Sequence, residues 1–273
     1  MNSNKIQVEN FMDFNSDAII TIGTRILVDH PKVKTYIDKI VRQSDSEFIY
    51  MHPIDDVSLQ NKYTQYIKYE AGSEEGVFAL LASFITKNLT PKYKEYIEDL
   101  DIGYLSGETS IGEEEFELLL EKLQDKKEIT FLIGEDIYEH PRFTNIANLI
   151  RLIDLYSPLN IVLLGKEQRI NLSKEIHLED VTDIHTYNGS VVYMANTSDD
   201  ILRGSSSFAM AAKIKDGDFV NIQYDSISVK KKFEIDVTIR GTIALYPILA
   251  NTQEKTMPLG YRFKQVKISQ VNI

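Results

Sequence analysis

The chain of 273 residues contains no cysteine. That absence removes disulfides, thiolate-held iron–sulfur clusters, cysteine-based zinc sites and cysteine nucleophiles from this chain. Tryptophan is absent too, so the 10% aromatic content is all Tyr and Phe. No apolar run approaches the roughly 20 residues of a membrane span. Met1–Lys5 lacks the charged and apolar regions of a signal peptide. A cytoplasmic chain is expected, including one attached peripherally to a membrane complex. His30, His52, His140, His177 and His185 form no His-x-x-x-His or His-Glu-x-x-His pair, so no metal site is expected. The sequence holds no Gly-x-Gly-x-x-Gly, Walker or Gly-x-Ser-x-Gly pattern, and no catalytic constellation is visible. Low-complexity tracts and solenoid repeats are also missing.

Basic residues are in deficit. The net charge of -11 argues against nucleic-acid binding. The deficit is uneven. From Ser190 onward there are 11 Lys and Arg against 8 Asp and Glu, and the rest of the chain carries 19 against 33. Two domains with different surfaces would give this pattern, as would an acidic part that meets a basic partner subunit. The hydrophobic content of 43% over this length supports one large domain or two ordinary ones.

The stretch from Ala18 to Ile22 is a nearly unbroken apolar run, suited to a strand buried on both faces of a parallel sheet. Gly23 ends it and Thr24-Arg25 make a tight turn. Asp29 suits a helix N-cap, with Pro31 in the first turn and apolar residues from Val33 to Val41 at helical spacing. Glu47–Met51 reads as a second strand ended by His52-Pro53, and Tyr66–Tyr69 as a short third. Ser73 is positioned to cap a helix whose apolar face runs from Val77 to Ile85. Tyr93–Leu105 reads as an amphipathic helix, Gly107–Gly112 as a loop and Glu113–Leu123 as a helix. Ile129–Gly134 and Asn160–Gly165 repeat the apolar strand ending in Gly, with a helix over Phe143–Tyr156 between them. This recurrence is the sign of a parallel α/β sheet. Ligands bind such sheets beyond the strands' carboxyl ends, so Gly23, Gly134 and Gly165 should share one sheet edge.

The character changes near Lys166, and residues up to Tyr187 read as linker. Beyond it the pattern is short strands: Val191–Ala195, Phe219–Gln223, Phe233–Thr238, Thr242–Pro247 and Tyr261–Ile268, with a short helix over Phe208–Ala212. Asp216-Gly217-Asp218 is a turn signal. The expected organisation is an α/β parallel-sheet domain over 1–165, a linker over 166–189 and a small β-barrel-like domain over 190–273.

Candidate chemistry is sparse, and each candidate has an ordinary structural reading. Gly23, Gly134 and Gly165 could admit phosphates to backbone N–H groups or serve only as turn glycines. Arg25 sits where a phosphate contact would be useful, and equally suits an ion pair with the abundant carboxylates. Glu113-Glu114-Glu115 fits an ordinary first helical turn as well as a cation site. Arg203–Ser207 reads as an anion cradle or a solvated loop. Lys230-Lys231-Lys232 reads as an exposed turn or a lysine-guarded edge strand.

Several of these motifs, in this order, resemble the molybdopterin oxidoreductase superfamily. Asp17–Arg25 resembles its apolar strand ending in a Gly-Thr-Asn-like turn. Tyr50–Pro53 falls where the family has a strand ending in Asp-Pro. Glu70–Glu74 falls where it has Pro-Gly-Thr-Asp before an apolar helix. Ile129–Gly134 followed by His140 is similar to its next Gly-ended strand, and Lys215–Ile222 to the Asp-Gly-Asp turn of its C-terminal barrel. The resemblance implies a Rossmann-like parallel sheet followed by a double-psi type β-barrel. It marks Gly23, Arg25, His52, Ser73, Glu74 and Glu135 as lining a vestigial dinucleotide cleft. The residues depart from the family there: Arg25 replaces an Asn, His52 an Asp, and Ser73-Glu74 the Asp that reads the guanine. With no cluster cysteines, the chain is most similar to the branch that has lost the cofactor. That branch is the C-terminal part of the molybdopterin-enzyme-like subunit of the proton-pumping NADH-quinone oxidoreductase. The likeness implies a structural, non-catalytic role with no cofactor in this chain. Iron–sulfur clusters would lie in an N-terminal region or in partner subunits of the peripheral arm. The chain would be cytoplasmic, peripheral to the inner membrane and not inserted in it. The alternative is a module that still binds a nucleotide or pterin dinucleotide.

Overall fold

The computed structural model describes residues 15–165, 175–249 and 257–271. The readings of Met1–Lys5 and of the first nine residues of the linker, 166–174, lie outside the described residues. The chain divides into two compact units. The first takes residues up to His52 and from Asn61 to Thr186, and the second takes Pro53–Gln60 and Tyr187–Ile273.

The first unit is built on a parallel sheet of β1 (Ala18–Ile22), β2 (Glu47–Met51), β4 (Gln65–Ile67), β5 (Ile129–Ile133) and β6 (Leu159–Leu163). Their spatial order is β4-β2-β1-β5-β6, and every neighbouring pair is parallel. The chain thus builds outward from β1 on one side and then crosses to build outward on the other, which places a topological switch between β1 and β5. The two-residue period of a strand splits β1 between faces. Ala18, Ile20 and Ile22 join one apolar cluster with Phe131, Leu163 and the helices on that side. On the other face the Tyr36 hydroxyl meets Ser16, which in turn bonds Thr130.

Helix α1 (Ile26–Asp29) is a single turn, and α2 (Pro31–Ile40) carries Val33, Tyr36, Ile37 and Ile40 as its buried stripe. Helix α3 (Glu74–Ile85) is apolar nearly all round, and Val77–Ala82 are fully buried. Such a helix needs neighbours on several sides. It contacts α4 (Pro91–Glu98), α5 (Ile102–Thr109), α6 (Glu113–Leu123) and α7 (Phe143–Tyr156).

Three local readings are corrected. Asp29 is not the cap of α2: His30 holds that place, while the Asp29 carboxylate accepts from Arg25 N–H (3.0 Å) and Thr24 Oγ1 (3.1 Å), closing the turn after β1. The single helix expected over Tyr93–Leu105 is two, because Asp101 starts a new one by accepting from Tyr104 N–H at 2.9 Å. That helix runs into the stretch read as a loop and ends at Thr109, with Ser110 left-handed at φ 57°. Residues 175–186 form an extended strap held by side chains of α7. Arg151 donates to Glu175 O, Asn148 to His177 O and Asn145 to Glu179 O.

The second unit contains a closed six-stranded barrel in the order β10-β8-β12-β7-β13-β9. Its strands are β7 (Ser190–Asn196), β8 (Ile201–Gly204), β9 (Phe219–Tyr224), β10 (Ile227–Ile235), β12 (Ile243–Ile248) and β13 (Phe263–Gln270). The β10–β8 and β12–β7 pairs are parallel, and the remaining pairs are antiparallel. Val192, Met194, Leu202, Val220, Ile222, Phe233, Tyr246 and Val266 form its core. A separate two-stranded ribbon joins β3 (Asp55–Asp56) to β11 (Ile239–Arg240).

Two barrel readings change. Arg203–Ser207 is not a loop: it ends β8, and Ser205 caps α8 (Ser206–Ala212) by accepting from Phe208 N–H at 3.1 Å. Lys230–Lys232 is strand and not turn: all three pair with β9, and Lys232 also pairs with Ile201 of β8. Among the described residues no helix is long and apolar enough to cross a membrane.

Candidate functional site

The register Ile22–Ile133–Leu163 sets the carboxyl ends of β1, β5 and β6 level. Gly23, Gly134 and Gly165 therefore lie on one sheet edge, as their position after apolar runs predicts. Gly134 N–H donates to Ile22 O at 2.8 Å, and Asp136 N–H to Gly23 O at 3.1 Å. The turn after β5 thus closes directly over the end of β1.

The glycines make room for the protein's own atoms. A Cβ at Gly134 would strike Gly23 O and the Thr24 side chain. One at Gly23, which sits at φ +68°, would press on Ile137 from 2.5 Å, and one at Gly165 would meet Glu135 at 2.7 Å.

Around this edge the chain gathers ionisable side chains from separate elements. Arg25 follows β1, His52 follows β2, and Ser73 and Glu74 open α3 beyond β4. Glu135 and Asp136 follow β5. His52, Ser73 and Glu74 are fully buried, Asp136 is 1% exposed and Arg25 8%. His30 Nε2 lies 3.0 Å from Glu135, His52 Nε2 lies 3.8 Å from Asp136, and His140 Nε2 lies 3.3 Å from Glu74. Tyr50 stacks on the His52 ring at 5.7 Å. Glu75 receives the Arg142 Nε on both oxygens (3.1 and 3.0 Å) and Asn145 Nδ2 at 2.7 Å. Ser73 Oγ does not cap its helix; it donates to Glu70 O at 2.7 Å.

The titration behaviour follows from this crowding. Burial, then the Glu74 and Asp136 carboxylates, push the Tyr69 phenol far above the ordinary tyrosine range, while the Gly23 backbone works the other way. Burial opposes a charge on His140, but Glu74 outweighs it and holds the ring above its ordinary pKa. His140 Nδ1 accepts from Arg142 N–H at 3.0 Å, so charging the ring means giving up that bond. Its Nε2 also meets Gly72 O at 3.0 Å.

Gly23, Arg25, His52, Ser73, Glu74 and Glu135, the residues the sequence points to, all come to this edge. His30, Tyr69, Asp136, His140 and the Glu75–Arg142–Asn145 group join them without being marked as cleft residues by the sequence. Asp136 has a signal, since it follows Glu135 directly beyond a Gly-ended strand. His140 and Tyr69 have none beyond residue type. Among the described residues no group of three His, Asp or Glu side chains is gathered as a metal ion requires. What the arrangement does chemically is pair acids with bases inside the fold. No protein-family model and no curated protein sequence matches this chain.

Proposed function

We propose that this chain is a structural, non-catalytic portion of a proton-pumping NADH-quinone oxidoreductase. It would be the C-terminal part of that assembly's molybdopterin-enzyme-like subunit, which lacks the cofactor of the molybdopterin oxidoreductases. One observation carries the reading. The sheet edge where a dinucleotide would lie is occupied by the chain's own buried pairs, His52 with Asp136 and His140 with Glu74. The sheet order and a six-stranded barrel mixing parallel and antiparallel pairs support the resemblance, and we take the barrel to be of the double-psi type.

The residues present do not fit a pterin dinucleotide. Its phosphates would approach the half-exposed Glu135 in the turn after β5, while Asp136, Glu74 and Glu75 are buried and engaged by His52, His140 and Arg142. Two like charges about 4 Å apart repel by roughly 1 kcal/mol in water and several-fold more in a drier cleft. The close approach allowed by Gly23 and Gly134 is already used by Ile137 and Thr24. In this reading the chain holds no cofactor, supports the electron-transfer arm, and sits on the cytoplasmic side, attached to the inner membrane through neighbouring subunits. NADH oxidation and quinone reduction belong to the assembly.

Affinity purification of the tagged chain from its source membranes tests this reading. The expected result is co-purifying NADH–ferricyanide reductase activity that persists through size exclusion at the mass of a multisubunit arm. A chain that elutes alone, without that activity, overturns it. Calorimetric titration with guanine and adenine nucleotides should show no binding at micromolar concentration. Micromolar binding abolished by Arg25→Ala would favour the alternative, a nucleotide or pterin-dinucleotide binding module.

A further inference from the structure

The barrel directs two lysines inward. Lys231 precedes the core residue Phe233 by two positions on β10, and Lys264 precedes the core residue Val266 by two on β13. The strand period puts each lysine on the same face as that core residue. Both side chains lie over tyrosine rings: Lys231 over Tyr246 and Lys264 over Tyr224, each at 5.7 Å. Lys231 is 5% exposed and Lys264 9%.

Their electrostatics differ. Lys231 forms an ion pair with Asp200. No carboxylate among the described residues pairs with Lys264, which is opposite Val192 on β7. An ammonium taken from water without a counter-charge is costly, and such an amine sheds its proton more readily than one at the surface. Burial indeed holds Lys264 below the ordinary lysine range. A deprotonated amine is a nucleophile, and desolvation is one of the ways a lysine is activated towards carbonyl compounds.

We infer that Lys264 is a carbonyl-reactive amine, a site at which the barrel takes a small aldehyde as an imine. The nitrogen lone pair attacks the carbonyl carbon, forming the C–N bond, and a nitrogen proton passes to the oxygen to give a carbinolamine. Loss of that oxygen as water, with the second amine proton, leaves the C=N bond. One amine and one aldehyde give one imine and one water, with no oxidant or reductant. The surrounding apolar side chains limit the water that would hydrolyse the imine.

The test uses the full chain, acetaldehyde at substoichiometric concentration and neutral pH, borohydride trapping and peptide mass mapping. Lys264 should be ethylated several-fold ahead of the exposed lysines, because burial favours its neutral amine. Lys231, equally inward but paired with Asp200, should stay unmodified. Lys264→Met keeps the length and apolar bulk of the side chain, and it should remove the early label without adding another. Label spread evenly over exposed lysines, equal label on Lys231, or early label that survives Lys264→Met overturns the inference.

Discussion

Gly134 sits at φ -89° and ψ 176°, a backbone any residue adopts, so conformational freedom is not its purpose. Its missing Cβ lets the turn after β5 close on Gly23 O and Thr24. Gly134→Ala should therefore cost about 1–3 kcal/mol as overpacking against backbone that has no room to move. Gly107 is the opposite case. It lies within α5, exposed, with nothing within 4 Å of an added Cβ. Gly107→Ala should stabilise by roughly 0.5–1 kcal/mol through helix propensity alone. Urea unfolding of the two variants beside the parent measures both signs in one experiment.

Among elements, β1 depends on the residue just before it. The Asp17 carboxylate accepts from Lys127 N–H (3.0 Å) and Glu128 N–H (2.8 Å), tying the connection after α6 to the start of β1. Its backbone also bonds Glu128 O and Glu47 N–H, each at 3.0 Å. Burial alone would raise the Asp17 pKa, but these backbone donors outweigh it and hold the carboxyl below the usual range. A depressed acid stabilises the fold above its unfolded pKa, about 3.9, and that contribution drains away as pH falls through the lower folded value. Asp17→Ala should cost about 1–2 kcal/mol at pH 7 for two charge-assisted bonds at the surface. The gap between variant and parent should narrow as pH falls below 4, which unfolding curves across that range would show.

Strands β1, β2, β5 and β6 are legible in the sequence because each is a mostly apolar run soon stopped by Gly or by His-Pro, a stop that the three-residue β4 lacks. Barrel strands carry less of this signal. The β8 strand holds Arg203 between Leu202 and Gly204, and β10 holds three successive lysines, so both read as surface. Their strand character comes from pairing: Ile201–Gly204 pairs with Lys232–Ile235, about thirty positions away, and Lys230 pairs with Asn221 across the β9–β10 hairpin. The candidate site divides the same way. Position after a strand finds Gly23, His52 and Glu135, but the pairings of His52 with Asp136 and of Glu74 with His140 join residues more than sixty positions apart. Local pattern holds no record of such pairs.

Across the whole molecule, the chain order and the compact units do not coincide. Pro53–Gln60 leaves between β2 and β4, the two strands of the sheet that flank it in sequence, and belongs to the barrel unit. There Ile239 and Arg240 pair with Asp56 and Asp55, and Val57 N–H donates to Thr238 O at 3.1 Å. Ile54 and Leu59, on either side of β3, are fully buried. A fragment of residues 187–273 therefore lacks the partner of β11 and the Val57 N–H donor to Thr238 O. Backbone hydrogen bonds of this kind contribute about 0.5–1.5 kcal/mol each. The fragment should melt well below the same fragment carrying residues 53–60 through a flexible linker, and its amides over Thr238–Gly241 should exchange faster. Equal melting temperatures would mean that the segment only rests on the barrel unit. A higher melting temperature with slowed exchange confined to β11 and its neighbours would make residues 53–60 an integral strand of a domain that the sequence places entirely after residue 189.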